Sequence, residues 1–407
     1  MHRSLVLLPI LGLSVSAQSL NATGLIQALQ GAGLTGLASA AALANQTEAG
    51  QSLIQALVSG NNYTVFAPNN AAFQAPAVAA ITDADTIAAI LAYHVLPGSY
   101  ANATDKTAEL QSGVAPSVTV GRSVLTNSSF VNLEGGKGQV CAWTRNNASS
   151  PIYFLDQTPE NTVLSTIAVG NLLVATISGV LIPPGNLSTV AVANNLTMLA
   201  TVGTTVSIPD FYGNGTSATV VEALESSQTK GFTLFAPDNA ALTAASSALA
   251  SLANNQTALL TLLGAHYING TSYYSPELLG ASGDFISASG QTLKFSSNST
   301  GAYVTTQTGS EARIVKSDVL VENGVVHIID GVLVNLNSNP AAASSAYNSA
   351  TSVAGQSTTQ TGPVGPTSTS TGSGSGSGGK NGALSVRSSS TVAGVALGLA
   401  LFMGLVL

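Results

Sequence analysis

Apolar and polar positions along this chain fall into two regimes, and the order of the regimes is written twice. SLIQALVSG (52–60) and SATVVEALESSQ (217–228) space their apolar residues as helices do. Each leads into a short run rich in branched and aromatic residues, YTVFAPNNAAF (63–73) and FTLFAPDNAAL (232–242), whose Thr-Val-Phe or Thr-Leu-Phe reads as a strand. Pro68 and Pro237 stop that strand, and Asn69-Asn70 or Asp238-Asn239 then offer side-chain oxygens to the start of a helix. A Leu/Ala-rich helix ending in histidine comes next, TIAAILAYHVLPGSY and then LLTLLGAHYINGTSYY. Both halves continue as alternating Thr/Val-rich strands bounded by Gly, Asn and Ser, and both close on an apolar strand, NLLVATISGVLIPP (171–184) and NGVVHIIDGVLVNL (323–336). Helices first and strands after predict an α+β architecture rather than a doubly wound sheet.

Seven of eleven motif positions are identical at a separation of 169 residues, more than shared local chemistry requires, so the chain reads as a duplicated domain. The register is close: Phe66 to His94 spans 28 residues and Phe235 to His266 spans 31. The first half is longer, and the excess falls in GGKGQVCAWTRNNASSPIYFLDQTPEN, which holds the only Trp and the only Cys. That stretch is either a functional surface insertion or a segment with its Trp tucked against the domain. Cys141 is read as a small buried apolar residue, with intermolecular pairing as the alternative. The expected division is a signal peptide at 1–17, domains at 18–187 and 188–338, a flexible Ser/Thr/Gly-rich stalk at 339–380, and an anchor signal with a removed apolar tail at 381–407. Within the stalk, GSGSGGKN mimics a phosphate loop, but no strand precedes it and Asn381 stands where Ser or Thr is needed.

Composition sets the compartment. Charged residues are 7% of the chain, against roughly 25% in ordinary soluble domains. Asn-x-Ser/Thr sequons at Asn21, Asn45, Asn62, Asn102, Asn127, Asn147, Asn186, Asn195, Asn214, Asn255, Asn269 and Asn298 suggest a glycan coat instead. MHRSLVLLPILGLSVSA reads as a cleaved secretory signal. Asn381-Gly382-Ala383, a short spacer and the apolar TVAGVALGLALFMGLVL read as a glycolipid-anchor signal with attachment at Asn381. A net charge of −7 without a basic block argues against a nucleic-acid partner.

With these motifs in order, the chain resembles proteins with two fasciclin I-type domains, in the form of a lipid-anchored surface protein of fungal type. TVFAPNNAAF and TLFAPDNAAL match the family's first motif, AYHVLPG its central Tyr-His segment and VVHIIDGVLV its closing motif. The resemblance implies a β-wedge packed with helices in each domain. It also implies a non-enzymatic adhesion or matrix role, with cell-surface or cell-wall glycans and proteins as partners and the membrane reached through the anchor. No catalytic residue, metal or cofactor is expected. Tyr93, His94, His266, Tyr267, His327 and Asp330 are the candidate binding residues. Two departures stand out: Ala175 and Ser178 replace His327 and Asp330 in the first half, and Tyr-His is inverted to His266-Tyr267 in the second. A competing reading makes the protein a wall polysaccharide-modifying enzyme in which His266, His327 and Asp330 meet as a general base or half a metal site. No His-x-x-His pair, Cys cluster or G-x-S-x-G elbow supports it.

Overall fold

The computed structural model describes residues 21–102, 109–281, 283–356 and 359–365. The expected signal peptide, Asn381 and the apolar tail lie outside the described residues. The first repeat opens with helices Ala22–Gly31, Thr35–Ala44 and Glu48–Val58. It then contributes β1 (Tyr63–Pro68), β2 (Val95–Pro97), β3 (Thr119–Arg122), β4 (Val140–Thr144), β5 (Tyr153–Phe154), β6 (Val163–Val169) and β7 (Leu172–Ile177). The second opens with Leu187–Ala193 and Thr197–Thr205. Its strands are β8 (Ser207–Ile208), β9 (Ala218–Thr219), β10 (Phe232–Pro237), β11 (Tyr267–Asn269), β12 (Phe285–Ile286), β13 (Thr292–Asn298), β14 (Gly301–Thr306), β15 (Glu311–Val321) and β16 (Gly324–Ile329).

The duplicated motif strand lies second from one edge of each sheet. β1 runs parallel to the closing strand β7 and antiparallel to β2, and β10 sits likewise between β16 and β11. Phe66 faces Ala175 and Phe235 faces His327, so the two halves share one register. Beyond this core they diverge. The first domain has a four-stranded sheet, β2-β1-β7-β6, and a separate three-stranded β3-β4-β5; the second has one seven-stranded sheet, β11-β10-β16-β15-β14-β13-β12.

The turn after each motif strand differs from expectation in one copy. Asp238 accepts from the Ala241 amide at 2.7 Å and caps the helix Asn239–Ala244. Asn69 accepts from the Ala72 amide at 2.9 Å, yet only the 3₁₀ turn Ala72–Gln74 follows. Pro76 lacks an amide hydrogen and cannot sit inside a continuing helix, so the chain restarts there as Pro76–Ala79. The second motif Asn has a tertiary task. Asn70 donates to Gly33 O (2.8 Å) and accepts from Gly36 N (2.9 Å); Asn239 donates to Asn195 O (2.7 Å) and accepts from Met198 N (3.0 Å). Each amide thus clips the opening helices to the sheet.

The extra stretch of the first half carries its strand β4 into the interior. Trp143 lies on β4 with no exposed surface, edge-on to Phe66 at 5.4 Å, and its indole N–H donates to Gln111 O. Cys141 is buried on the same strand, and its thiol donates to Tyr93 O at 3.4 Å. Burial raises the thiol pKa far above its ordinary value, so the small buried apolar reading holds and no disulfide partner can reach it.

The stalk expected from residue 339 begins instead with structure. Asn339 caps a helix over Pro340–Ala354, accepting from Ala342 N. Residues 359–365 then cross the first domain: Val364 N donates to Val120 O (2.7 Å), and Tyr100 Oη donates to Gly362 O (2.9 Å). A Cβ at Gly98 would stand 2.0 Å from Thr361 O, so the close approach and a φ of +90° both require glycine there. Low charge and high Ala/Ser content permit a coil but do not forbid a helix with seven residues of Ala or Val in fifteen when a surface is available to pack on.

Candidate functional site: histidine hubs and the interdomain seam

His94 and His266 each end a helix, Ala84–Tyr93 and Gln256–Ala265. Their backbone carbonyls accept from Phe66 N (2.9 Å) and Phe235 N (2.8 Å) of the motif strands. Their rings finish the hub. His94 Nδ1 lies 2.7 Å from Ile90 O and Nε2 accepts from Leu181 N at 2.9 Å; His266 Nδ1 lies 2.8 Å from Leu262 O and Nε2 accepts from Leu333 N at 2.8 Å. A carbonyl opposite Nδ1 requires the proton there, and an amide opposite Nε2 requires that nitrogen bare, so both rings are neutral. Burial pushes both pKa values down to about 4, opposed only by the helix carbonyl. The inverted Tyr-His order leaves this hub intact, because the histidine keeps its place and the tyrosine moves. Tyr93 Oη donates to Val140 O, and Tyr267 Oη donates to Asn269 Oδ1.

His327 is buried on β16, stacked on Phe235 at 5.6 Å. Its Nε2 donates to Tyr273 O (3.0 Å) and its Nδ1 accepts from Asp318 N (3.3 Å). Burial lowers its pKa against the pull of the Asp318 charge. Asp318 is the carboxylate beside this ring; it adopts a φ of 57° at the bulge in β15 and accepts from both the amide and the hydroxyl of Ser275. Sequence spacing pointed to Asp330 and missed Asp318, which is nine residues from His327 along the chain.

The three residues of the enzyme reading do not converge. His266 is bonded to Leu262 and Leu333, and His327 to Tyr273 and Asp318. The Asp330 side chain is 47% exposed, accepting from Arg313 N at 2.8 Å with the guanidinium 4.0 Å away. Asp330 lies on the surface, one residue past the end of the buried strand at Ile329. Among the described residues no group of three or more His, Cys, Asp or Glu is placed to hold a metal ion.

The extra stretch, with the residues just before it, builds a seam between domains. Asn132 N donates to Glu322 O (2.8 Å), Gln139 Nε2 to Val321 O (3.0 Å), and Leu320 N to Asp156 Oδ2 (3.0 Å). Lys316 pairs with Asp156 at 2.8 Å, and Ser272 Oγ donates to the buried Glu134 at 3.0 Å. Behind these contacts Val120, Val140 and Ala142 pack with Tyr274, Leu320, Val325 and Val364 in one apolar cluster. Burial raises Glu277 to about 7 near this seam, partly offset by the Tyr274 amide and Arg122. Beside the seam opens a cleft of about 530 Å³ lined by Gln157, Glu160, Pro183, Asn194 and Lys316. Gln157 is already paired with both backbone groups of Ile182, and Asn194 with Val190 O and Lys316 Nζ. All twelve sequon asparagines reach the surface; none is buried.

Two copies of one α+β module, joined by a packed seam and organised around neutral, fully bonded histidines, form a tandem domain pair. The chain belongs to the Fasciclin domain family, whose sequence model matches residues 12–183 and 207–335. Fourteen chains of solved structures match. One, described as a novel fold revealed by a FAS1 domain pair from the insect cell adhesion molecule Fasciclin I, is 16% identical with a TM-score of 0.29; the alignment covers 70% of this chain and 93% of that one. No curated protein matches the sequence. Family members are typically extracellular adhesion modules without catalysis. Among the described residues no helix is long and apolar enough to cross a membrane.

Proposed function

We propose that this protein is a non-enzymatic adhesion or matrix-interaction protein of the cell surface or cell wall, presenting two fasciclin domains as one unit. The observation that carries this reading is the use of the histidines. Each of the three rings has both nitrogens bonded to the protein's own backbone, so no lone pair is available to a substrate or metal. The sequons at the surface suit glycosylation, and the C-terminal order of small residues, spacer and apolar tail suits a glycolipid anchor at Asn381. Partners are surface or wall glycans and proteins. Cells displaying the chain are expected to adhere to matching surfaces better than cells lacking it, and phospholipase specific for phosphatidylinositol is expected to release it. Equal adhesion with and without the chain would overturn the reading. Polysaccharide turnover abolished by His327→Ala in a folded protein would return the enzyme.

A further inference from the structure

The two domains treat one strand edge in opposite ways. Through the shared register, Ile167, Ala168 and Val169 of β6 correspond to Val319, Leu320 and Val321 of β15, since Ile167 faces Val174 as Val319 faces Val326. On β15 these positions are sealed. Val319 is 0% exposed, and the backbone of Leu320 and Val321 is bonded by Asp156 and Gln139 of the first domain. On β6, which ends its sheet, the Val163 amide is taken by Ile152 O, but beyond it Ile167 is 49% and Leu164 54% exposed. The charge pattern differs as well. β15 carries Glu311, Arg313, Lys316 and Asp318 and bulges twice, whereas VLSTIAV has no charge, no proline and, from Ser165 to Val169, an unbroken register. Edges are normally protected by charge, proline or bulges.

We propose that the outer edge of β6 is a docking strand for a second copy of this chain, the two β6 strands pairing antiparallel about a two-fold axis and joining their four-stranded sheets. This names a partner within the adhesion reading and rests on it for its purpose. The same edge is already an interface inside the molecule, where one fasciclin domain seals that of the next, so the position tolerates burial by this fold. The sealing face around Gln139 and Asp156 is occupied within each chain and cannot serve a neighbour. A neutral strand paired with itself brings no like charges together and leaves no register-breaking bulge between Ser165 and Val169. Such a contact falls well below the roughly 1,200 Å² of a stable complex, so association is weak and gains force where many copies are held on one surface.

The test is sedimentation of the purified full chain over a range of concentrations, with Ile167→Lys, and with Val192→Lys as a control at an apolar residue 70% exposed on a helix of the second domain. The expected result is a concentration-dependent dimer whose dissociation constant rises at least about tenfold in Ile167→Lys and is unchanged in Val192→Lys. Single cysteines at Thr166, Ile167 and Ala168 should form an intermolecular disulfide most readily at the position on the axis, Cys141 being buried. A monomer throughout, or a dimer indifferent to Ile167→Lys, overturns the proposal. So does a monomer whose β6 amides resist hydrogen exchange, since a segment of the chain itself would then cover the edge. Cell adhesion scored on the same variants separates the two readings: adhesion that persists in Ile167→Lys removes the second copy as the partner and leaves the adhesion role standing.

Discussion

Phe66 and Phe235 hold the same place in the two domains, but they are packed by different means. In the first, Ala175 opposite Phe66 leaves room that Trp143 and Phe154 fill, edge-on at 5.4 and 4.7 Å. In the second, His327 occupies the opposite position, stacks on the phenylalanine, and needs Asp318 and Tyr273 to satisfy its ring. The aromatic solution comes from the segment that also forms the seam, so one insertion supplies both a core and an interface. Where the second domain continues its sheet from β15 into β14, β13 and β12, the first has β3-β4-β5 as a separate sheet. A closing motif without His and Asp is therefore a repacked version of the motif, and its substitution says little about lost chemistry.

That comparison can be broken most forcefully at Trp143. Trp143→Ala should cost about 3–5 kcal/mol and loosen the seam, whereas an equivalent aromatic deletion in the second domain, Phe295→Ala, should cost less because Phe295 is only partly buried. Denaturant unfolding monitored separately in each domain would show it; equal losses would mean that the insertion is not the first domain's core.

The two histidine hubs should behave alike in acid. Their folded pKa values of about 4 lie below the ordinary 6.5, so between pH 6.5 and 4 the unfolded chain takes up protons that the folded rings refuse. Stability should fall with pH across that window by about 3 kcal/mol per hub. His94→Gln and His266→Gln, each destabilised at neutral pH, should both flatten the slope. A slope that only one of them changes would separate the domains after all.

Glu277 has the opposite sign. Its folded pKa of about 7 exceeds the ordinary 4.5, so its contribution is fully present at low pH and is lost as pH rises from 4.5 through 7. Glu277→Gln keeps an acceptor for Tyr274 N and should stabilise the protein by about 1–3 kcal/mol at pH 8 and little at pH 4. Melting temperatures at the two pH values decide it. The smallest effect is expected at Asp330: water can replace its exposed carboxylate at Arg313 N, so Asp330→Ala should cost less than about 1 kcal/mol. A larger loss would give Asp330 a structural role at the end of the closing strand.

The sequence by itself determined the duplication, the α+β class, the strand–turn motif around Pro68 and Pro237, and the closing strands, because these depend on local periodicity and on residues with one dominant conformational effect. It also placed His94 and His266 at helix ends. Tertiary structure alone decided what those histidines bond to, since Leu181 and Leu333 lie 87 and 67 residues away. The same holds for Asp318 beside His327, for Trp143 as core rather than surface, and for Pro340–Ala354 as a helix. In each case the deciding partner comes from a distant part of the chain: a buried amide, an aromatic cavity or a second domain's face. Composition and spacing show which groups need such a partner, and only the packed fold supplies it.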